Sequence, residues 1–185
     1  YAARVRYAPK SGWENKMNAG MDIGREYSVK KDGKWTILKD GEAIKRGDLV
    51  RVDLFLNLPA PRNFVVVNDP LPGGLETVNR DLATASTVDD AEAVYDQAGG
   101  SLWFKYSDWR EYNFSFWSVY HKELRHDSAR FFSDWLPAGN YHLSYVAQAI
   151  ADGTFAAPPV RAEEMYDPDV YGRGQNGALV IQTGP

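Results

Sequence analysis

The sequence predicts an all-β fold, an antiparallel β-sandwich, on three observations. Residues 48–58 alternate with a period of two, the pattern of a half-buried strand: Val50, Val52, Leu54 and Leu56 point one way, and Arg51 and Asp53 the other. Short apolar runs of this kind recur along the chain and are separated by turn-forming clusters of Gly, Pro, Asn and Asp. No long helical periodicity alternates with them, which argues against a parallel α/β sheet.

Taken in order, residues 2–7 read as a first strand, and 25–29 as the next. Lys31-Asp32-Gly33 and Lys39-Asp40-Gly41 are turns that precede the strand at 48–58. A strand at 63–67 runs into Asp69-Pro70-Leu71-Pro72-Gly73-Gly74, where two prolines and two glycines prescribe a chain reversal. Residues 79–100 are polar and Ala-rich, and they read as an insertion between strands. Within it, 87–96 offers an N-cap threonine and early acids, hence a short helix. Strands follow at 101–106, 113–124, 129–135, 139–150 and 178–182, with Pro137-Ala138-Gly139 turning the chain between two of them. The segment 153–168 fits neither element. Pro158-Pro159 removes two backbone donors, and Met165-Tyr166 sits between acids, so it reads as a shaped connection. The expected organisation is one domain over 25–185, with 1–24 as its lead-in and N-terminal strand.

Composition narrows the function classes. With 185 residues the chain is long enough to bury a core without covalent staples, and it has no cysteine. That rules out disulfides, Cys-based zinc sites and cysteine nucleophiles. A formal net charge of −4 disfavours a phosphate-backbone partner, so no nucleic acid is expected. The apolar runs 64–67 and 178–181 are far shorter than the ~20 residues of a membrane-spanning helix, so no membrane span is expected here. Tyr1 is not a start methionine, and the first residues read as strand and not as a signal peptide; a piece of a longer polypeptide is expected.

A search for chemistry finds little. His121, His126 and His142 are read as surface or edge residues, because the odd separation of the first two sends them to opposite faces of a strand. Asp89, Asp90, Glu92 and Asp96 lack the glycine turn and terminal bidentate Glu of an EF-hand, and they read as a solvated acidic face. Glu163, Glu164, Asp167 and Asp169 are read as solvated or capping groups. Ser115, Ser118, Ser128, Ser133 and Ser144 stand in no nucleophile elbow, and Gly73-Gly74 in no phosphate loop. No cofactor, metal site or catalytic residue is expected, and the chain is read as not an enzyme. Aromatic residues make up 14% of the chain and include six Trp, so a sugar-binding face on the sandwich is the alternative reading, carried by rings such as Trp109 and Trp117.

Several blocks, in order, resemble the C-terminal, tenth macroglobulin-like domain of bacterial α2-macroglobulins. They are Arg25-Glu26-Tyr27, Lys45-Arg46-Gly47-Asp48-Leu49-Val50, Val67 to Glu76 with its Asn-Asp-Pro-Leu-Pro-Gly-Gly core, and Pro137-Ala138-Gly139. Gly153-Thr154-Phe155 with Pro158-Pro159 follows, and then Ala162-Glu163-Glu164-Met165-Tyr166-Asp167-Pro168 with Gly172-Arg173. The resemblance covers about 25–173. It implies a sandwich of macroglobulin or fibronectin-like type within a periplasmic protease trap, whose parent in one form is an inner-membrane lipoprotein. In such traps a protease cuts a bait region and an internal thioester in another domain becomes reactive. The partners implied are the thioester domain and neighbouring macroglobulin domains of the same polypeptide, and target proteases through the full-length protein. The Cys-x-x-Gln of the thioester is absent from this chain, which leaves open whether the parent carries one.

On this resemblance Met165 and Tyr166 are candidate contacts that shield the thioester. A flexible thioether and a flat ring with a polar tip suit a plug that later withdraws. The competing reading turns both side chains inward onto the domain's own sandwich. Asp69, Pro70, Leu71 and Pro72 form a second candidate interface loop, with a purely shape-giving turn as the alternative.

Overall fold

The computed structural model describes residues 15–78, 110–111 and 121–184. The expected strands at 2–7 and 101–106, the insertion at 79–100 with its helix at 87–96, most of the strand at 113–124, the acids 89–96, Ser115, Ser118, Trp109 and Trp117 lie outside them. Among the described residues fifteen strands run in chain order: β1 Met17–Ala19, β2 Asp22–Lys31, β3 Lys34–Ile37, β4 Ala43–Lys45, β5 Leu49–Leu58, β6 Arg62–Pro70, β7 Leu75–Thr77, β8 Arg110–Glu111, β9 His121–Leu124, β10 Ser128–Leu136, β11 Gly139–Ala149, β12 Gly153–Ala157, β13 Arg161–Glu164, β14 Asp167–Arg173 and β15 Gly177–Gln182. No helix occurs among the described residues.

The strands form three sheets. One has the order β1-β14-β13-β6-β10-β9, and the second has β3-β2-β5-β11-β7 with β8 beside β11. A small third sheet, β12-β15-β4, stands apart from both. Pairing is antiparallel except for β8 on β11 and β4 on β15. The Asp32-Gly33 turn works as the sequence predicts: both residues have positive φ, 50° and 79°, which gives β2 and β3 a two-residue hairpin closed by Lys31 opposite Lys34.

The core lies where the alternating apolar faces meet. Val50, Val52, Leu54 and Leu56 of β5 oppose Ala147, Tyr145, Leu143 and Tyr141 of β11 on one sheet. Val65 and Val67 of β6 and Ala129 and Phe131 of β10 supply the other, and all are buried. Leu179, Ile181 and Ile44 bring the third sheet into the same cluster. Gly74 permits that closure, because a Cβ there would stand 2.4 Å from the Phe155 ring and 2.6 Å from Ile181. At the corner before β11 the Tyr141 hydroxyl donates back to the Pro137 carbonyl, fixing the turn at 137–139.

A polar group sits inside this core. The Asp69 carboxylate is wholly buried and takes Arg25 Nη1 at 2.5 Å and the Tyr145 hydroxyl at 2.7 Å. Arg25 also reaches the carbonyls of Pro70, at 3.5 Å, and Ala157, at 3.4 Å, and its guanidinium lies 4.9 Å from the centre of the Tyr27 ring. Burial pushes the Asp69 carboxyl up, while Arg25 and the hydrogen bond from Tyr145 pull it back. Burial also lifts the phenols of Tyr145 and Tyr27 well above their ordinary range. The Tyr27 hydroxyl has no hydrogen-bond partner among the described residues.

Three expectations are corrected here. The segment 153–168 is not an irregular connection: it contains β12 and β13, and Pro158-Pro159 carries the chain from the third sheet to the first. The prolines sit where no ladder needs their donors. The strand at 48–58 is not covered on one face alone, since Asp53 and Phe55 are buried together with their neighbours. His142 is not at the surface or an edge. It is buried on that second face, bonded to Asp53 at 2.7 Å and stacked on Phe55 at 5.0 Å between ring centres.

The buried polar group separates two outwardly similar substitutions. Tyr145→Phe leaves Asp69 short of a donor and is expected to lower stability by about 1–3 kcal/mol, whereas Tyr27→Phe removes a hydroxyl with no partner among the described residues and is expected to be neutral or slightly stabilising; the two urea midpoints check this. Both phenols stay neutral in the fold at a pH where an unfolded tyrosine ionises. Their contribution is therefore complete below about pH 10 and is lost as pH rises toward the raised folded values. The urea midpoint should fall between pH 9 and pH 11, and fall less in Tyr27→Phe. Gly74→Ala should cost about 1–3 kcal/mol by overpacking against Phe155 and Ile181, read as a lowered Tm.

Candidate functional site

β13 and β14 form a hairpin whose loop is two residues long, Met165-Tyr166, closed by Glu164 opposite Asp167. Two-residue hairpins ordinarily take Asn, Asp or Gly at these positions, because the favoured turns need positive φ. Neither Met165 nor Tyr166 has positive φ, and a register shift at Glu163/Glu164 makes up the difference in twist. Nothing in the turn's conformation calls for two large apolar side chains. Both are nonetheless exposed, Met165 by 44% and Tyr166 by 80%.

The neighbouring strands extend this apolar end. Met165 N–H donates to the Phe64 carbonyl at 2.9 Å, and Tyr166 meets the Phe64 ring edge-on with centroids 5.0 Å apart. Phe64 has φ of 49°, a left-handed conformation that costs a bulky residue of order 1–3 kcal/mol and that tends to persist at binding surfaces. One strand beyond, Trp135 lies opposite Asn63 and is 53% exposed. Phe64, Trp135, Met165 and Tyr166 thus cluster at one end of the first sheet, and they are four of the six large apolar residues exposed among the described residues. Met17 and Ile150 lie elsewhere.

Charge brackets the tip. Glu164 Oε1 accepts the Asn63 N–H at 2.7 Å, pinning the hairpin to β6, and Glu163 pairs with Arg161 at 2.6 Å. Asp134, Asp167 and Asp169 are exposed around it. The arrangement offers an apolar knob held by backbone and carboxylate hydrogen bonds. It contains no nucleophile and base in register, and no group of three metal-ligating side chains occurs among the described residues.

Of the residues singled out from sequence, Met165 and Tyr166 both stand outward at this tip. Asp69, Leu71 and Pro72 are buried, with Pro70 half-buried, and the turn is closed by Leu75 N–H to the Pro72 carbonyl at 2.9 Å. That stretch gives shape at the seam between sheets, with Asp69, Leu71 and Pro72 turned into the domain. Sequence reasoning missed Phe64 and Trp135. Phe64 read as one more apolar residue of a strand, because a positive φ at a non-glycine leaves no mark in composition. Trp135 read only as the last residue of the strand at 129–135, because the period of two does not show where a sheet stops. His121 and His126 are exposed, and Ser128 and Ser133 are buried in β10.

Comparison with known proteins agrees with this architecture. Residues 20–169 match the family model of the bacterial α2-macroglobulin MG10 domain. An α2-macroglobulin homologue of Nostoc is 24% identical over 136 residues, 74% of this chain and 6% of the relative. An α2-macroglobulin of Escherichia coli is 30% identical over 146 residues, 77% of this chain and 8% of the relative. Among solved structures, Escherichia coli α2-macroglobulin activated by porcine elastase superposes with a TM-score of 0.69 at 25% identity, covering 94% of this chain and 14% of that one. The chain therefore spans less than a tenth of the length of these curated relatives. It belongs to the bacterial α2-macroglobulin MG10 domain family.

Proposed function

We propose that this chain is a non-enzymatic module of a periplasmic, α2-macroglobulin-like protease trap, and that its apolar hairpin tip docks on the thioester domain of the same polypeptide and shields it. It is read as a single domain, with residues 1–24 as lead-in. The observation that carries the reading is the pair Met165-Tyr166 at a two-residue hairpin tip, exposed and not required by the turn. Phe64 meets the Tyr166 ring, and Trp135 is exposed at the same end of the sheet.

A thioester lasts in water only where nucleophiles are kept from its carbonyl. An apolar plug excludes water and amines and lowers the local polarity that would stabilise an attacked, negatively charged intermediate. The plug also has to release when the trap is triggered, which favours a small contact over an extensive one. A thioether adapts to the surface it meets, while the Tyr166 ring is steadied by Phe64. Target proteases would meet the full-length protein, and neighbouring macroglobulin domains would set how the tip is presented.

Met165→Ala in the full-length protein tests this through methylamine. Loss of an anchor worth about 1–2 kcal/mol should speed thioester loss roughly five- to thirtyfold, with Tyr166→Ala acting in the same direction. An unchanged rate in both variants would sink the shielding role.

A further inference from the structure

We propose that Met165 is an oxidation site, and that its sulfoxide prevents the tip from returning to the surface it docks on. The inference rests on the docking reading above. The chain has no cysteine and three methionines, so three sulfur atoms face any oxidant. Met21 is fully buried in the core. Met17 is 39% exposed, and its sulfur takes a hydrogen bond from the Tyr171 hydroxyl at 3.7 Å. Met165 stands at the apex of the hairpin, 44% exposed, with its N–H bonded to the Phe64 carbonyl beside the Phe64–Tyr166 ring pair.

The chemistry needs a two-electron oxygen donor of the peroxide class. A sulfur lone pair attacks the terminal oxygen of hydrogen peroxide and the O–O bond breaks. The departing hydroxide takes up the transferred hydroxyl's proton, leaving water and methionine sulfoxide; sulfur loses two electrons and peroxide gains them. The product carries a strong S=O dipole where the side chain had been apolar. Returned to a dry contact, that oxygen would lose its water, and burying a polar oxygen costs free energy wherever no donor is placed to meet it. Docking should therefore weaken roughly ten- to a hundredfold.

Oxidation of Met165 requires an undocked tip, so modification follows release and makes it one-way until the sulfoxide is reduced. Met17 supplies an internal control. It pairs with Arg173 at the far end of β14, about 20 Å from the tip at roughly 3.3 Å per residue, so its own oxidation leaves the apolar cluster untouched.

Peptide mass spectrometry of this 185-residue chain after hydrogen peroxide should show Met165 oxidising at least about tenfold faster than Met21. Equal, slow rates at the two would overturn the proposal. In the full-length protein, amide exchange across 161–167 then reads docking. Peroxide treatment continued until the Met165 peptide is fully oxidised through transient opening of the tip, and Met165→Gln, which sets a polar group of similar length there, should each raise exchange about tenfold, and Met165→Leu should withstand peroxide. An effect of Met165→Gln without an effect of oxidation would overturn this proposal alone, as would a peroxide response retained in Met165→Leu. No effect of either change would overturn the docking reading with it.

Discussion

The Asp69 carboxylate ties the three sheets to one another. It belongs to β6 of the first sheet and is held by Arg25 and Tyr145 of the second, while the same guanidinium reaches the Ala157 carbonyl at the end of β12 in the third. A buried ion pair of this kind adds little net stability, because removing two charges from water costs about as much as their attraction returns. Its value is geometric. Apolar faces can slide over one another at small cost, but a buried carboxylate with two fixed donors has one satisfactory position, and a slip of register would strand it without partners.

That restraint reaches the tip through a short path. Arg25 fixes the carbonyl of Ala157, Pro158-Pro159 stiffens the next step, and Val160 is buried with its carbonyl bonded to Gly174 N–H. β13 then enters the first sheet between β14 and β6, and its hairpin closes two residues past Glu164. Met165-Tyr166 is thus carried on strands and not on a free loop, which suits a contact surface that must be presented in one orientation. The blocks that mark the family converge on this path: Arg25 and Tyr27 meet the Asp69 block, and Gly74 abuts Phe155.

Much of the fold was legible in the residues. β5, β10 and β11 carry long apolar alternation, and the Asp32-Gly33 and Pro72 to Leu75 turns rest on residues whose backbone preferences decide them locally. The short strands were not: β4, β7, β12 and β13 run three to five residues, too few for a period to emerge, and they exist because a longer neighbour supplies their hydrogen bonds. Of the candidate site, Met165 and Tyr166 stood out as large apolar residues among acids. Their position on a hairpin was hidden, because the pair lacks the glycine or asparagine by which such turns are recognised.

By itself the sequence determined the class of fold, its principal strands and its family, because periodicity, turn chemistry and ordered blocks are properties of neighbouring residues. Tertiary structure alone decided which polar groups were interior and which apolar ones were left outside. Asp69 and His142 are buried only because Arg25 with Tyr145, and Asp53, come from other strands to pair with them. Phe64 and Trp135 are exposed only because the sheet ends where they stand. Burial is a relation between segments far apart in the chain, and no local pattern encodes it.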